Sequence, residues 1–211
     1  MKMNELYLDM PTIDKFERLE RFLEERKGDT VPEATGNAYF MQEGIDVIQN
    51  KIKIGDRILD VGCGKGVALK MFRYLGTRPI GITINDEDKA IAETEGDDVR
   101  IMDMSFLDFD DNYFDGIWAR HCLEHSIFPY FTLHEFNRVL KPGGWMYVEV
   151  PGVNTCSQHE LNRNHYSVLT AEMWASLILR TNFQICGSYA LSFDLPTGKE
   201  IYYRILAEKM I

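Results

Sequence analysis

Leu59-Asp60-Val61-Gly62-Cys63-Gly64-Lys65-Gly66 is the stretch on which the fold turns. The short apolar run from Arg57 to Val61 reads as a strand, and Val67 to Tyr74 reads as a helix. Three alternating glycines join them. Glycine permits a tight turn and lets a ligand approach the backbone, and the start of the helix offers free N–H groups. In an open α/β sheet this crevice, at the carboxyl ends of the strands, is where ligands sit. A dinucleotide-binding loop needs a third glycine where Val67 stands. A phosphate-binding P-loop needs Ser or Thr directly after its lysine, and Gly66 follows Lys65.

Outward from this loop, strands and helices alternate. Pro79 to Ile84 reads as a strand, Asp86 to Thr94 as a helix closed by Gly96, and Val99 to Met102 as a strand. Gly116 to Ala119 is a further strand, Phe131 to Leu140 a helix ended by Pro142-Gly143-Gly144, and Trp145 to Val150 a strand stopped by Pro151. Such alternation implies right-handed crossovers and a parallel sheet covered on both faces. Upstream, Phe16, Leu19, Phe22 and Leu23 give Thr12 to Lys27 a helical period closed by Gly28. After a turn-like stretch over 29–37, Met41, Ile45 and Ile48 give a second helix. Downstream, Ala171 to Arg180 is helical. Two β-rich stretches, Phe183 to Phe193 and Ile201 to Leu206, then flank Pro196-Thr197-Gly198 as a hairpin adding one antiparallel strand.

The 211 residues, 45% apolar and 27% charged, suit one soluble domain with a substantial core. No apolar run approaches the ~18 residues of a membrane span, and the charged start of the chain lacks a signal-peptide core. The expected setting is cytoplasmic, with no membrane partner. A net charge of −10 without a Lys/Arg cluster disfavours nucleic acid. Cys63, Cys122, Cys156 and Cys186 form no Cys-x-x-Cys pair and read as reduced thiols.

Three further segments join the glycine loop. Asp103 to Asp115 leads into Gly116-Ile117-Trp118-Ala119 and then Arg120-His121-Cys122-Leu123-Glu124-His125. Arg138-Val139-Leu140-Lys141-Pro142-Gly143-Gly144 precedes the next strand, and His165-Tyr166-Ser167-Val168-Leu169-Thr170 precedes a helix. In order and spacing these resemble the motifs of class I, Rossmann-like S-adenosylmethionine-dependent methyltransferases, in the small-molecule branch of the type 11 and type 23 kind. The resemblance implies an α/β fold, a doubly wound, mostly parallel seven-stranded sheet with helices on both faces and the C-terminal antiparallel β-hairpin. It implies a single domain over residues 1–211: an N-terminal helical cap (1–53), a cofactor-binding core (54–150) and an acceptor-side part (151–211). The implied cofactor is S-adenosyl-L-methionine and the implied partner a small-molecule methyl acceptor.

By the same resemblance, Asp60 orients the site, the backbone around Gly62, Cys63 and Gly64 cradles the methionine part of the cofactor, and Gly66 belongs to the same cofactor-binding set. Asp103 takes the adenine amino group with the Met104 backbone beside it, and Thr83, Ile84 and Arg120 complete the binding set. The family usually carries an acid where Thr83 stands. The ribose partner is therefore the Thr83 hydroxyl, or Asn85, Asp86 or Asp88. His121, at the end of a strand, is the catalytic candidate. No metal is expected. His121-Cys122-Leu123-Glu124-His125 does match an inverted zinc-protease pattern, but that pattern needs two turns of helix and here it directly follows a strand. Glu124 and His125 are instead expected to begin a helix and contact local backbone. His165 and Tyr166 are candidates for an acceptor wall, and Tyr39 and Phe40 for part of a lid, with ordinary packing the rival explanation for each. At the level of the whole chain the rivals are a catalytically silent methyltransferase fold that only binds, and an NAD-dependent oxidoreductase, which Val67 disfavours.

Overall fold

The computed structural model describes residues 10–25 and 38–211. They fall into two units, described separately. In the first, helix α1 (Met10–Glu24) carries Leu19, Phe22 and Leu23 half-buried, while Phe16 is exposed. Arg18 pairs with Asp14 one turn earlier. The helix is described to Glu24, and its expected end at Lys27, with Gly28 and the stretch 29–37, lies outside the described residues.

The second unit opens with α2 (Ala38–Ile48) and continues β1 (Arg57–Val61), α3 (Val67–Tyr74), β2 (Arg78–Thr83), α4 (Asp86–Thr94) and β3 (Asp98–Ile101). Then come β4 (Phe114–Arg120), α5 (Pro129–Val139), β5 (Leu140–Pro151), α6 (Ala171–Arg180), β6 (Phe183–Leu195) and β7 (Gly198–Lys209). The seven strands lie in the order β3-β2-β1-β4-β5-β7-β6. Every pairing from β3 to β5 is parallel. β7 inserts antiparallel between β5 and β6, so it is the second arm of the expected hairpin that supplies the one reversed strand. No helix among the described residues is long and apolar enough to cross a membrane.

Alternation along the strands separates the two faces of the sheet. Leu59, Val61, Ile117, Ala119, Met146 and Val148 face α5 and α6, where Leu133, Phe136, Trp174 and Ile178 are buried. Ile58, Trp118, Trp145 and Tyr147 face the other way, toward Met41, Ile45 and Ile48 of α2 and Ala68 and Phe72 of α3. The Trp118 and Tyr147 rings stack there at 4.4 Å. Residues of both faces are fully buried, which is why the parallel strands read as continuous apolar runs.

Two local readings need correction. Pro142-Gly143-Gly144 was expected as a turn before the fifth strand, but the strand already begins at Leu140. Leu140 pairs with Phe114 and Trp145 with Gly116, so the intervening residues bulge out within the strand. Gly143 takes φ +74° there, a conformation glycine adopts without penalty. Glu124 and His125 do not begin a helix. They lie in a single 3-10 turn, Leu123–His125, and the next helix starts at Pro129.

Candidate functional site

The carboxyl ends of β1, β2, β4 and β5 bring most of the sequence-predicted residues together. Parallel register places Asp60 opposite Trp118, Thr83 opposite Ile101, and Arg120 opposite Glu149. The loop after β1 runs through Gly62, Gly64 and Gly66, all with positive φ. Their surroundings differ. A Cβ on Gly64 would meet no atom within 4 Å, so that position faces open space. A Cβ on Gly66 would lie 2.7 Å from Asp97 Oδ2 and 3.1 Å from the Ala92 Cβ, so Gly66 is required by packing against α4 and the turn after it. Gly62 lies close under the Cys122 Cβ. Cys63 is buried, its thiol packed against Gly81, and burial together with nearby carboxylates pushes that thiol well up.

Asp60 is 3% exposed, and its Oδ2 has no hydrogen-bond partner among the described residues. Burial, with the Asp97 charge adding to it, raises its carboxyl well above the usual range, and Arg120 only partly opposes this. At the end of β2 the Thr83 hydroxyl is buried and accepts from the Asn85 amide at 3.2 Å, which leaves its own proton to donate. Asn85 is occupied as the N-cap of α4, its Oδ1 accepting from the Glu87 and Asp88 amides at 2.8 and 3.1 Å. Ile84 is exposed. The Met102 amide donates to the Thr83 carbonyl at 3.0 Å, which sets Asp103 and Met104 beside this strand end. Asp103 is exposed, with one oxygen accepting from the Ser105 amide at 2.7 Å.

Arg120 and His121, at the end of β4, belong to a buried charged cluster that the sequence reading missed. Glu149 is fully buried and is approached by four groups. Arg120 Nε lies 2.7 Å from one oxygen and His121 Nε2 3.2 Å from the same one. The Tyr147 hydroxyl donates to the other at 2.9 Å, as does Arg204 Nε at 2.7 Å. Burial alone would raise the Glu149 carboxyl; the His121 hydrogen bond and the charges of Arg120, His121 and Arg204 overcome that and take it to about 2. Arg204 reaches on to Glu43 and the Phe40 carbonyl, tying α2 to β7. The signal was present: Glu149 and Arg204 each interrupt an otherwise apolar strand.

His121 holds φ +50°, an uncommon conformation for a non-glycine residue. Its Nδ1 lies 3.4 Å from Glu124 Oε1, so both ring nitrogens face buried carboxylates. Burial pulls its pKa down, but hydrogen bonds to Glu124 and Glu149 outweigh that and leave it raised. Tyr202 packs edge-on against the ring at 4.4 Å. Of the proposed acceptor wall, Tyr166 is exposed, while His165 is half-buried and pushed down to about 4, chiefly by burial. The His125 amide donates to the Cys122 carbonyl at 3.0 Å, while its ring turns away from the turn, with Nδ1 2.8 Å from the Asn164 carbonyl 39 residues away. Phe40 packs on Phe193 and Tyr202, while Tyr39 is exposed.

A family model described as a methyltransferase domain matches residues 17–185. A sterol 24-C-methyltransferase of Gibberella zeae is 35% identical over 102 residues, covering 44% of this chain and 27% of that protein. A ubiquinone biosynthesis O-methyltransferase of Thiobacillus denitrificans is 27% identical over 133 residues, covering 60% and 53%. The chain thus spans about a quarter to a half of the length of these curated relatives. Among solved structures, phosphoethanolamine N-methyltransferase 2 of Haemonchus contortus, in complex with S-adenosyl-L-methionine, superposes with a TM-score of 0.69 at 18% identity. That match covers 81% of this chain and 53% of the other, and it speaks for the fold alone.

Proposed function

This chain belongs to the methyltransferase-domain family, and on that premise we propose that it moves the sulfonium methyl of S-adenosyl-L-methionine to an O, N or C acceptor on a small molecule. The observation that carries the reading is the loop at Gly64, where a positive φ and open space beside the backbone leave room for a ligand against the chain. The orphaned, buried Asp60 oxygen at the same strand end suits a donor such as the cofactor's ammonium group. These residues fit the cofactor. When bound, it supplies a methyl group already activated by a positive sulfonium.

The chain's own residues then bind, orient and shield. Backbone groups of Gly62, Cys63 and Gly64 hold the methionine part, and Gly66 lets the loop pack on α4. Thr83, with its hydroxyl proton left to donate, takes the ribose in place of Asn85, whose Oδ1 is engaged as the helix cap. Ile84 and Met104 flank the adenine, and Asp103 accepts from its amino group. Arg120 acts through Glu149, fixing the end of β4. His121 is the catalytic candidate at the transfer centre, where its ring nitrogens face two carboxylates that hold its pKa raised against burial. Positioning accounts for most of the rate in such an in-line displacement.

We read residues 1–211 as one methyltransferase domain, with 1–53 as a helical cap, 54–150 as the cofactor core and 151–211 on the acceptor side. A cytoplasmic setting is supported by four cysteines of which none is bonded to another. The net charge of −10 opposes a nucleic-acid partner. The relatives' names include C-, O- and N-methyltransferases, so the acceptor atom is left open among the three. A second reading, a silent fold that binds cofactor without turnover, is favoured by the engagement of both His121 nitrogens. Incubating the protein with methyl-labelled S-adenosylmethionine and a metabolite mixture separates the two. Labelled product supports the enzyme; cofactor binding without any product supports the silent fold.

A further inference from the structure

Around the 3-10 turn after β4, three metal-competent side chains converge. One ligand atom each from Glu124, His125 and His165 lies within 4.8 Å of the others. Glu124 is 2% exposed; its Oε1 faces His121, while its buried Oε2 has no hydrogen-bond partner among the described residues. His125 Nδ1 is 2.8 Å from the Asn164 carbonyl, which can only accept, so the proton sits on Nδ1 and Nε2 carries a lone pair. His165 Nδ1 is likewise buried without a partner. The two rings stand nearly perpendicular with centroids 4.7 Å apart.

We propose that Glu124, His125 and His165 form a binding site for a divalent transition metal of the zinc class. Glu124 Oε2 and His165 Nδ1 are buried without partners among the described residues, His125 offers a third ligand atom beside them, and orphaned buried polar atoms are costly. One cation satisfies all three. Two histidines and a carboxylate are a common zinc set with a coordination position left open, whereas magnesium and calcium favour all-oxygen ligands. Zinc–ligand bonds of about 2.0–2.1 Å place tetrahedral donors about 3.3 Å apart, so the side chains must draw in from their present spacing.

The backbone is already prepared for this. The Ser167 amide donates to the Glu124 carbonyl at 2.9 Å and the Ser167 hydroxyl to the Ser126 carbonyl at 2.7 Å, which pins the loop carrying His165 onto the turn carrying Glu124 and His125. The Asn164 carbonyl on His125 fixes its tautomer, as an outer-sphere partner of a metal-bound histidine does. This is a different set from the inverted protease pattern. His121, the first residue of that pattern, is held by Glu124 and Glu149, and the third ligand comes from 40 residues downstream. On the reading of the preceding subsection, Glu124, His125 and His165 would hold the metal next to the end of β4, where it would supply a Lewis-acid position for an acceptor oxygen.

The test uses the full chain, freed of metal by chelation and titrated in separate experiments with Zn²⁺ by calorimetry and Co²⁺ by visible absorption. The expected result is one saturable Zn²⁺ site per chain and a Co²⁺ ligand-field band. Affinity should drop at least about tenfold in His165→Ala and in Glu124→Gln and stay within about threefold in His159→Ala, whose ring stacks on His165 without belonging to the site. Thermal melts check folding, and Zn²⁺ should raise the melting temperature of the parent protein but not of folded His165→Ala. No saturable binding by the parent protein, or undiminished binding in both substituted proteins, overturns the site. S-adenosylmethionine titrated without metal tests the methyltransferase reading separately, so the two can fail independently.

Discussion

At Gly64 the backbone sits at φ +51° with open space where a side chain would go, whereas at Gly66 that space is already filled by Asp97 and Ala92. The two glycines therefore predict different defects. Gly64→Val should leave a folded protein that no longer binds S-adenosylmethionine, because the side chain fills the ligand's place. Gly66→Val should lower the melting temperature, because the clash is with the protein itself. Thermal melts and cofactor titration of both variants check this, and unimpaired cofactor binding by folded Gly64→Val would refute the loop assignment. Asp103→Ala should weaken cofactor binding by about 1.5–3 kcal/mol, toward the lower end because the carboxylate is exposed and half-used by Ser105. Thr83→Ala should cost about 1 kcal/mol, the worth of one neutral hydrogen bond. Calorimetric affinities in the reverse order would mean the second strand has been misassigned. For His121→Ala, cofactor affinity is expected to hold while turnover falls about 10²-fold through lost positioning; normal turnover would leave His121 a purely structural residue.

Among the elements, β4, β5 and β7 are joined through Glu149 as well as by their backbones. Replacing one partner of a buried ionic cluster strands the others, so Glu149→Gln should destabilise the fold by about 3–5 kcal/mol, read from denaturant unfolding. The pH dependence follows from the direction of the shift. Glu149 has a folded pKa of about 2, held there against burial by His121, Arg120 and Arg204, with Tyr147 also donating to it. The unfolded carboxyl titrates near ~4.3. Its contribution is complete above ~4.3 and is lost as pH falls toward 2, amounting to about 3 kcal/mol. Stability of the parent protein should fall steeply across that window and that of Glu149→Gln much less; parallel curves would remove Glu149 from the account. The elements themselves were legible, since period and glycine punctuation locate α3, α4 and α6 to within a residue. The bulge in β5 was not, because Pro142-Gly143-Gly144 reads as a turn until its pairing with β4 is known. Nor were the pairings of Glu149 with Arg120, His121 and Arg204 or of His165 with Glu124 and His125, which come from strands and loops tens of residues away and leave no local pattern.

For the molecule as a whole, the sheet order places the glycine loop, the ends of β2 and β4, and the charged Glu149 cluster along one edge of the parallel strands, where open α/β sheets bind ligands. Fold alone does not imply activity, so weight falls on the residues of the site. The glycine loop, Asp60 and Asp103 were accessible from sequence because they lie in short contiguous motifs. The engagement of Asn85 as a helix cap and the double clasp on His121 required three dimensions, and both narrow what those residues can do. The central claim is that the Gly64 loop binds S-adenosylmethionine, and calorimetric titration of the full chain with that cofactor tests it most directly. The account predicts one saturable site per chain, present in the parent protein and absent from folded Gly64→Val. A parent protein that gives no binding heat at any temperature tried, or one that binds NAD in its place, would contradict it.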